Sequence, residues 1–130
     1  MPHHVIVLDD EEDVRKGIRL QLGGTRFEVL EAQGAEEAIE LLREHALTVE
    51  AIICDVRMPK ISGVEAAAFF RREYRSTPVV VLTGFPDVNL AVDFMKKGVV
   101  EYLVKPVEKK ELIAAVEKAV AQRTRFCGGS

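Results

Sequence analysis

Short apolar runs alternate along the chain with longer segments in which apolar residues recur every three or four positions. The short runs predict β-strands, and the first, residues 4–8, is apolar on both faces, as expected of a buried strand. The other four predicted strands are residues 27–30, 51–54, 79–82 and 101–104.

Five helices are predicted between and after these strands. The first carries Val14, Ile18 and Leu22 on one apolar face. Ser62, followed three residues later by Glu65, forms a capping box, which predicts a helix start at this point. The remaining helices are predicted over residues 35–44, over residues 88–97 with Gly98 as the closing residue, and from about residue 108.

This alternation of strands and helices predicts βαβ units with right-handed crossovers. The resulting fold class is α/β, with a parallel sheet covered by helices on both faces. Ligands of such sheets bind beyond the carboxyl ends of the strands, near the point where the strand order reverses. The residues that directly follow each strand are therefore the first candidates for a functional site.

Length and composition fit one globular domain. The chain has 130 residues, of which 48% are hydrophobic and 30% charged. Its net charge of −3 argues against direct binding to nucleic acid, and no apolar run approaches the roughly 20 residues that span a bilayer. The first residues lack a cationic segment and a cleavage site, so we expect a cytoplasmic protein without membrane contact.

Two cysteines, Cys54 and Cys127, lie far apart and lack metal-ligand spacing, so we expect free thiols in a reducing compartment. Residues 123–130 are polar and glycine-rich, which is typical of a flexible tail, a linker stub or a cloning remnant.

Charged and hydroxyl side chains follow four of the predicted strands. Asp9 and Asp10 follow the first, Asp55 the third, Thr83 the fourth and Lys105 the fifth. Because parallel strands end at the same edge of a sheet, we expect these side chains to share one cleft. Crowded carboxylates repel each other unless a cation lies among them, and Mg2+ prefers one or two carboxylates plus water and phosphate oxygens.

The same residues could accommodate a phosphoryl group. An ammonium and a hydroxyl would neutralise and orient its oxygens, and an aspartate oxygen is a known nucleophile towards phosphorus. A simpler interpretation is that the acidic residues only stabilise the start of the first helix through its dipole. We prefer that interpretation for Glu11 and Glu12, and the metal hypothesis for Asp10 with Asp55.

The chain resembles the receiver domain of bacterial two-component response regulators, from about Val5 to Val120. The motifs that carry the resemblance are Leu8-Asp9-Asp10-Glu11, Asp55-Val56-Arg57-Met58-Pro59 with Gly63, Leu82-Thr83-Gly84, and Tyr102-Leu103-Val104-Lys105-Pro106. It implies a receiver domain over residues 4–122. The implied fold is three-layered, α/β/α and flavodoxin-like, with five helices and a five-stranded parallel sheet of order 2-1-3-4-5.

The resemblance also implies the roles of the acidic residues. Asp55 would be the phosphoacceptor and a metal ligand, and Asp10 would bind Mg2+ directly. Asp9 would bind the metal mainly through a water molecule, and the backbone carbonyl of Arg57 would be a further ligand. Mn2+ is an alternative ion, and no other cofactor is expected.

By the same resemblance, Lys105 would pair with the phosphoryl oxygens, and the Lys105-Pro106 peptide would be cis. Thr83 would move towards the phosphoryl group, and Tyr102 would turn inward behind it. The face formed by the fourth helix, fifth strand and fifth helix would then act on a partner. Leu90 and Phe94 are either exposed contacts on that face or core residues.

The implied phosphodonor is a histidine kinase or a phosphotransfer protein, and the target is an output domain or another protein. A homodimer that forms on phosphorylation stays open, as do the pathway and the full length of the protein. Two alternatives are a haloacid-dehalogenase-like phosphatase, which expects an aspartate where Arg57 stands, and a receiver-like scaffold that is not phosphorylated. A flavin-binding domain is disfavoured because residues 9–12 would repel a flavin phosphate.

Overall fold

The computed structural model describes residues 3–55, 69–74, 76–84 and 87–128, with residues 124–128 described by backbone alone. Its strands are β1 (His3–Leu8), β2 (Phe27–Ala32), β3 (Val49–Asp55), β4 (Val79–Thr83) and β5 (Glu101–Val104). Its helices are α1 (Glu12–Gln21), α2 (Ala35–Glu44), α3 (described over residues 69–73), α4 (Val88–Lys96) and α5 (Lys109–Gly128). The predicted alternation of strands and helices is confirmed.

The five strands form one parallel sheet in the order β2-β1-β3-β4-β5, as expected. The strand order reverses beside β1, which lies between β2 and β3. Leu8 pairs with Cys54, and Asp55 pairs with Leu82. The residue after β1 therefore lies at the level of the last residue of β3, on the edge where ligands are expected.

Apolar residues fill both faces of the sheet because side chains alternate in direction along each strand. Val5 and Val7 pack in a core with α1 and α5, and Ile6 and Leu8 pack in a second core with α2, α3 and α4. All four side chains are buried. Each fully buried aliphatic side chain contributes about 1.5–3 kcal/mol, so the central strands form a rigid base for the loops above them.

Helix α4 has a well-defined start and end. The Asp87 side chain caps its first turn by accepting a hydrogen bond from the Leu90 amide at 3.0 Å. Gly98 follows the helix with φ of +94°, a left-handed conformation that glycine adopts without strain. The prediction that Gly98 closes this helix is confirmed.

The structure distinguishes the two interpretations of Leu90 and Phe94 on α4, as exposed contacts or as core residues. Phe94 is 1% exposed and lies in the core, and Leu90 is partly buried against the same cluster. The exposed apolar side chains of α4 are instead Val88, Val92 and Met95. A buried aromatic residue at position 94 fixes the helix on the sheet and leaves the opposite face to solvent.

The remaining predictions concern segments near the ends of helices. The capping box at Ser62 and Glu65 lies outside the described residues. Helix α5 continues to Gly128, so residues 123–128 are helical, and the assignment of residues 123–130 to a tail stays a prediction.

Within the described ranges, no helix is both long and apolar enough to cross a membrane.

Candidate functional site

Asp55 and Lys105 form an ion pair at the carboxyl edge of the sheet. Asp55 is the last residue of β3, and Lys105 directly follows β5. The Lys105 ammonium donates a hydrogen bond to Oδ2 of Asp55. The Asp55 side chain is fully buried, whereas that of Lys105 is 26% exposed. This charge-assisted hydrogen bond orients the buried carboxyl group of Asp55 and places a positive charge beside it.

The second oxygen of Asp55 is a candidate metal ligand. Oδ1 is buried and makes no hydrogen bond with the residues that the structure describes. Buried polar atoms normally have a partner, so this oxygen is suited to a ligand. A carboxylate oxygen is the donor that Mg2+ prefers. The described residues contain no group of three or more His, Cys, Asp or Glu side chains that could hold a metal, but Mg2+ is typically held by fewer protein carboxylates.

The acidic loop, residues 9–11, lies at the end of the neighbouring strand β1. Asp9 is buried, and its Oδ1 accepts a hydrogen bond from the Glu11 amide at 2.7 Å. Its own amide donates to the carbonyl of Ala32 at the end of β2, at 3.1 Å. Asp10 is exposed. The loop thus presents one buried and one solvent-facing carboxyl group at the edge where Asp55 lies.

Thr83 and Tyr102 occupy the strands beside Asp55. Thr83 ends β4 and is buried, and its carbonyl accepts a hydrogen bond from the Lys105 amide at 2.7 Å. Tyr102 lies on β5, with its ring centroid 6.2 Å from that of Phe94. The buried hydroxyl of Tyr102 makes no hydrogen bond within the described part of the chain. The fold therefore brings the Lys105 ammonium to Asp55 and ends β4 at Thr83 beside them, whereas a cleft shared by all of these side chains stays a prediction.

Comparison with known proteins shows the family. The family model described as "Response regulator receiver domain" matches residues 5–117, which is most of the chain. The chain belongs to the response regulator receiver domain family. Receiver domains in general bind Mg2+ at the site of phosphorylation. This family assignment agrees with the predicted fold and with the positions of the four motifs.

Two curated relatives and one solved structure illustrate the similarity. The receiver domain is 33% identical to the transcriptional regulatory protein FixJ of Bradyrhizobium diazoefficiens, over 92% of this chain and 57% of FixJ. It is 30% identical to the transcriptional regulatory protein SrrA of Staphylococcus aureus, over 96% of this chain and 50% of SrrA. The chain thus spans about half the length of these relatives.

The solved structure is a response regulator receiver domain protein from Clostridium thermocellum. It matches with a TM-score of 0.84 and 30% identity, over 95% of this chain and 98% of the other. The receiver fold of this chain is therefore seen both in its own strand order and in a related structure.

Several residues predicted for the receiver site belong to a segment outside the described ranges. Arg57, whose carbonyl is a predicted metal ligand, lies outside the described residues, as do Met58, Pro59 and Gly63. The Lys105-Pro106 peptide is cis, as expected.

Cys54 precedes the phosphoacceptor candidate but faces the core. Burial, together with the smaller effect of the nearby Asp55 carboxylate, raises the pKa of its thiol from 9.0 to about 12. Its thiol is therefore neutral near neutral pH and is a poor nucleophile. This agrees with the expectation that Cys54 is a free thiol, and the structure places it in the core.

Sequence reasoning missed two side chains of α1 that support the receiver site. Arg15 is buried and donates to the carbonyl of Asp9, and Gln21 donates to the carbonyl of Val107 at 2.8 Å. Arg15 lies three residues before Ile18 and seven before Leu22, so it falls on the apolar face of the helix. A charged residue at such a position was a signal for a specific buried partner. Gln21 gave no comparable signal.

An open groove of about 540 Å3 lies between α1 and the loop after β5. Val14, Gly17 and Ile18 line it on the helix side, and Gly84 and Lys105 line it on the side of Asp55. Gly17 contributes to the depth of the groove because a Cβ atom at this position would have no neighbour within 4 Å.

Proposed function

We propose that this receiver domain accepts a phosphoryl group on Asp55 from a histidine kinase or a phosphotransfer protein. The observation that carries the proposal is the buried Asp55 carboxylate, paired with Lys105 through one oxygen and without a partner among the described residues at the other. A metabolic enzyme would need groups that convert a separate substrate. In the proposed reaction, the group that accepts the phosphoryl group is the Asp55 side chain of the protein itself.

In the proposed transfer, an oxygen of Asp55 attacks the phosphorus atom of a phosphohistidine on the donor. The new O–P bond forms as the N–P bond breaks, and its electron pair returns to the imidazole nitrogen of the donor. Lys105 then pairs with a phosphoryl oxygen, and the Thr83 hydroxyl donates to another. The transfer depends mainly on positioning and charge neutralisation, and both side chains lie at adjacent strand ends.

The proposed cation site consists of Asp55 and Asp10 as direct ligands, with Asp9 acting through water and the Arg57 carbonyl as a further ligand. When bound, Mg2+, or Mn2+ in its place, would neutralise charge on the phosphoryl oxygens. The buried Oδ1 atom of Asp55 and the exposed carboxyl group of Asp10 support this set.

The proposed output is a population shift that phosphorylation drives through Thr83 and Tyr102. Tyr102 packs near Phe94 of α4, and its buried hydroxyl makes no hydrogen bond with the described residues, which supports a role for this side chain in the switch. The affected surface is α4, β5 and α5. Val88 and Val92 on α4 and Val104 on β5 are exposed apolar side chains there.

FixJ and SrrA are named transcriptional regulatory proteins, and the chain matches only about half of each. By this relationship we propose that the receiver domain controls transcription through an output domain or a partner protein, in the cytoplasm and without binding nucleic acid itself. Phosphorylation-dependent dimerisation is part of the same hypothesis.

The proposed function is tested by incubating the chain with acetyl phosphate and MgCl2 and measuring the intact mass. We expect one phosphoryl adduct that is stable in acid and labile in base, and we expect Asp55→Asn to remove it. Asp13→Asn is a matched control, because Asp13 is an exposed carboxylate on α1 outside the site. Full labelling of Asp55→Asn would contradict the assignment, and an unlabelled wild type would favour the scaffold hypothesis.

A further inference from the structure

Arg15 is a buried cation in the first turn of α1, directly behind the acidic loop. Its side chain is 7% exposed, and a buried guanidinium is costly unless its charge and its N–H groups are paired. Nε donates to Oε1 of Glu31 on β2 at 2.9 Å, and Nη1 donates to the carbonyl of Asp9 at 2.7 Å. Arg15 thus joins β2 to the acidic loop through two nitrogens of one rigid group.

The Asp9 carbonyl belongs to the peptide plane that links Asp9 to Asp10. Because the peptide group is planar, a hydrogen bond to this oxygen orients the plane from which the Cα atom of Asp10 departs. The Glu11 amide closes the other side of the loop by donating to Oδ1 of Asp9. The direction of the Asp10 side chain therefore depends on where Arg15 holds this carbonyl.

We infer that Arg15 is a positioning residue for cation binding, and that its guanidinium, anchored by Glu31, holds the Asp9–Asp10 peptide so that Asp10 faces the cation. The inference rests on the proposed function of the acidic loop and extends it to a residue that contacts neither the cation nor the phosphoryl group. Outer-shell groups that orient metal ligands commonly have large effects on metal affinity.

The alternative is that Arg15 affects the site only through its charge. The two roles predict changes of opposite sign in Mg2+ affinity. Loss of a positive charge behind the acidic loop would make the site more negative and would tighten Mg2+ binding. Loss of a positioning contact would let the Asp9–Asp10 peptide reorient and would weaken binding. The sign of the change therefore separates the two roles.

The experiment is a titration of the unphosphorylated chain with MgCl2 alone, followed by isothermal calorimetry and by amide NMR shifts. We expect Arg15→Met to weaken Mg2+ binding by about tenfold. The Asp10 amide should also become more mobile in the Mg2+-free variant, which a pure charge effect would not cause. Unchanged or tighter binding in Arg15→Met would overturn the inference.

Arg19→Met is the matched control. Arg19 lies one turn further along α1 and pairs with the other oxygen of Glu31, at 2.5 Å from its Nη2 atom, as a second cation on the same anchor. Its substitution removes the same charge from the same carboxylate and leaves the Arg15 side chain in place. We expect Mg2+ affinity to stay near the wild-type value or to rise slightly. A tenfold loss in Arg19→Met would overturn the inference.

Arg15→Lys keeps the test decisive if Arg15→Met does not fold. A single ammonium keeps the charge but cannot serve Glu31 and the Asp9 carbonyl in the geometry of two guanidinium nitrogens, so we expect weaker Mg2+ binding than in the wild type. Wild-type affinity in Arg15→Lys would overturn the inference. A wild-type chain that does not bind Mg2+ would overturn the proposed cation site and the role of Arg15 with it. If the wild type binds Mg2+, unchanged or tighter binding in Arg15→Met, or a tenfold loss in Arg19→Met, would overturn the inference alone.

Discussion

The ammonium group of Lys105 pairs with the buried carboxylate of Asp55, although 50 positions separate the two residues in the chain. Strand β4 lies between the strands that carry them. Neighbouring strands are about 4.8 Å apart, so a long side chain is needed to reach across β4 from the end of β5. Lysine meets this requirement, and its own amide is held at the end of β4 by a hydrogen bond to the Thr83 carbonyl at 2.7 Å.

Removal of this ammonium should destabilise the fold. In Lys105→Met the Asp55 carboxylate stays buried without its partner, so we expect the free energy of unfolding to fall by about 1–3 kcal/mol. Urea unfolding near neutral pH, in EDTA to exclude divalent cations, measures the change. Asp55→Asn in the Lys105→Met background should recover most of the loss, because the buried charge is then gone. Equal stability of Lys105→Met and the wild type would contradict the pairing.

Two glycine substitutions should change stability in opposite directions. Gly17 lies inside α1, and a Cβ atom there meets nothing within 4 Å, so Gly17→Ala should stabilise the chain by about 1 kcal/mol. Gly98 has a φ of +94°, and a Cβ atom there would lie 2.9 Å from Nη2 of Arg71. Gly98→Ala should therefore cost about 1–2 kcal/mol from backbone strain alone. Thermal melting checks both, and a shift of the same sign in the two variants would contradict the structure.

Two apolar residues of α4 should differ sharply in their effect on stability. Phe94 is fully buried, so Phe94→Ala should cost about 3–5 kcal/mol. Val92 is 47% exposed, so Val92→Ala should change stability by no more than about 0.5 kcal/mol. Chemical unfolding of both variants measures the contrast. If Val92 belongs to the output surface, its substitution should instead weaken partner binding or dimer formation by the phosphorylated chain.

Cys54 should be unreactive in the folded chain. In a Cys127→Ser background it is the remaining thiol, and burial together with the Asp55 carboxylate raises its pKa to about 12. We expect a disulfide reagent to modify it slowly near pH 8 in the native state and rapidly after unfolding by urea. Rapid modification of the native chain would show that the thiol is accessible.

The same pKa shift predicts the pH dependence of stability. The folded thiol ionises at a higher pH than the unfolded thiol, so the neutral form stabilises the fold fully below pH 9. This contribution is lost as the pH rises from 9 towards 12, by up to about 1.4 kcal/mol per pH unit. Relative to Cys54→Ala, the wild type should lose stability over that range, as measured by urea unfolding. Parallel pH profiles would contradict the shift.

The sequence by itself determined the alternation of strands and helices, the edge of the sheet at which Asp55 and Lys105 meet, and the identity of the polar residues that follow the strands. These features follow from local patterns: apolar periodicity, a glycine that ends a helix at Gly98, and polar residues such as Asp55 placed directly after a strand. The cis peptide before Pro106 was also expected, through the family resemblance, and is present.

Only the tertiary structure decided which side chains meet. It placed Phe94 in the core, left Val88 exposed, and joined Arg15 to both Glu31 and the Asp9 carbonyl. These outcomes depend on how helices pack on the sheet and on side chains that are distant in sequence, and no local pattern contains that information. The physical reason is that burial and hydrogen bonding are properties of the three-dimensional neighbourhood, whereas periodicity is a property of the chain.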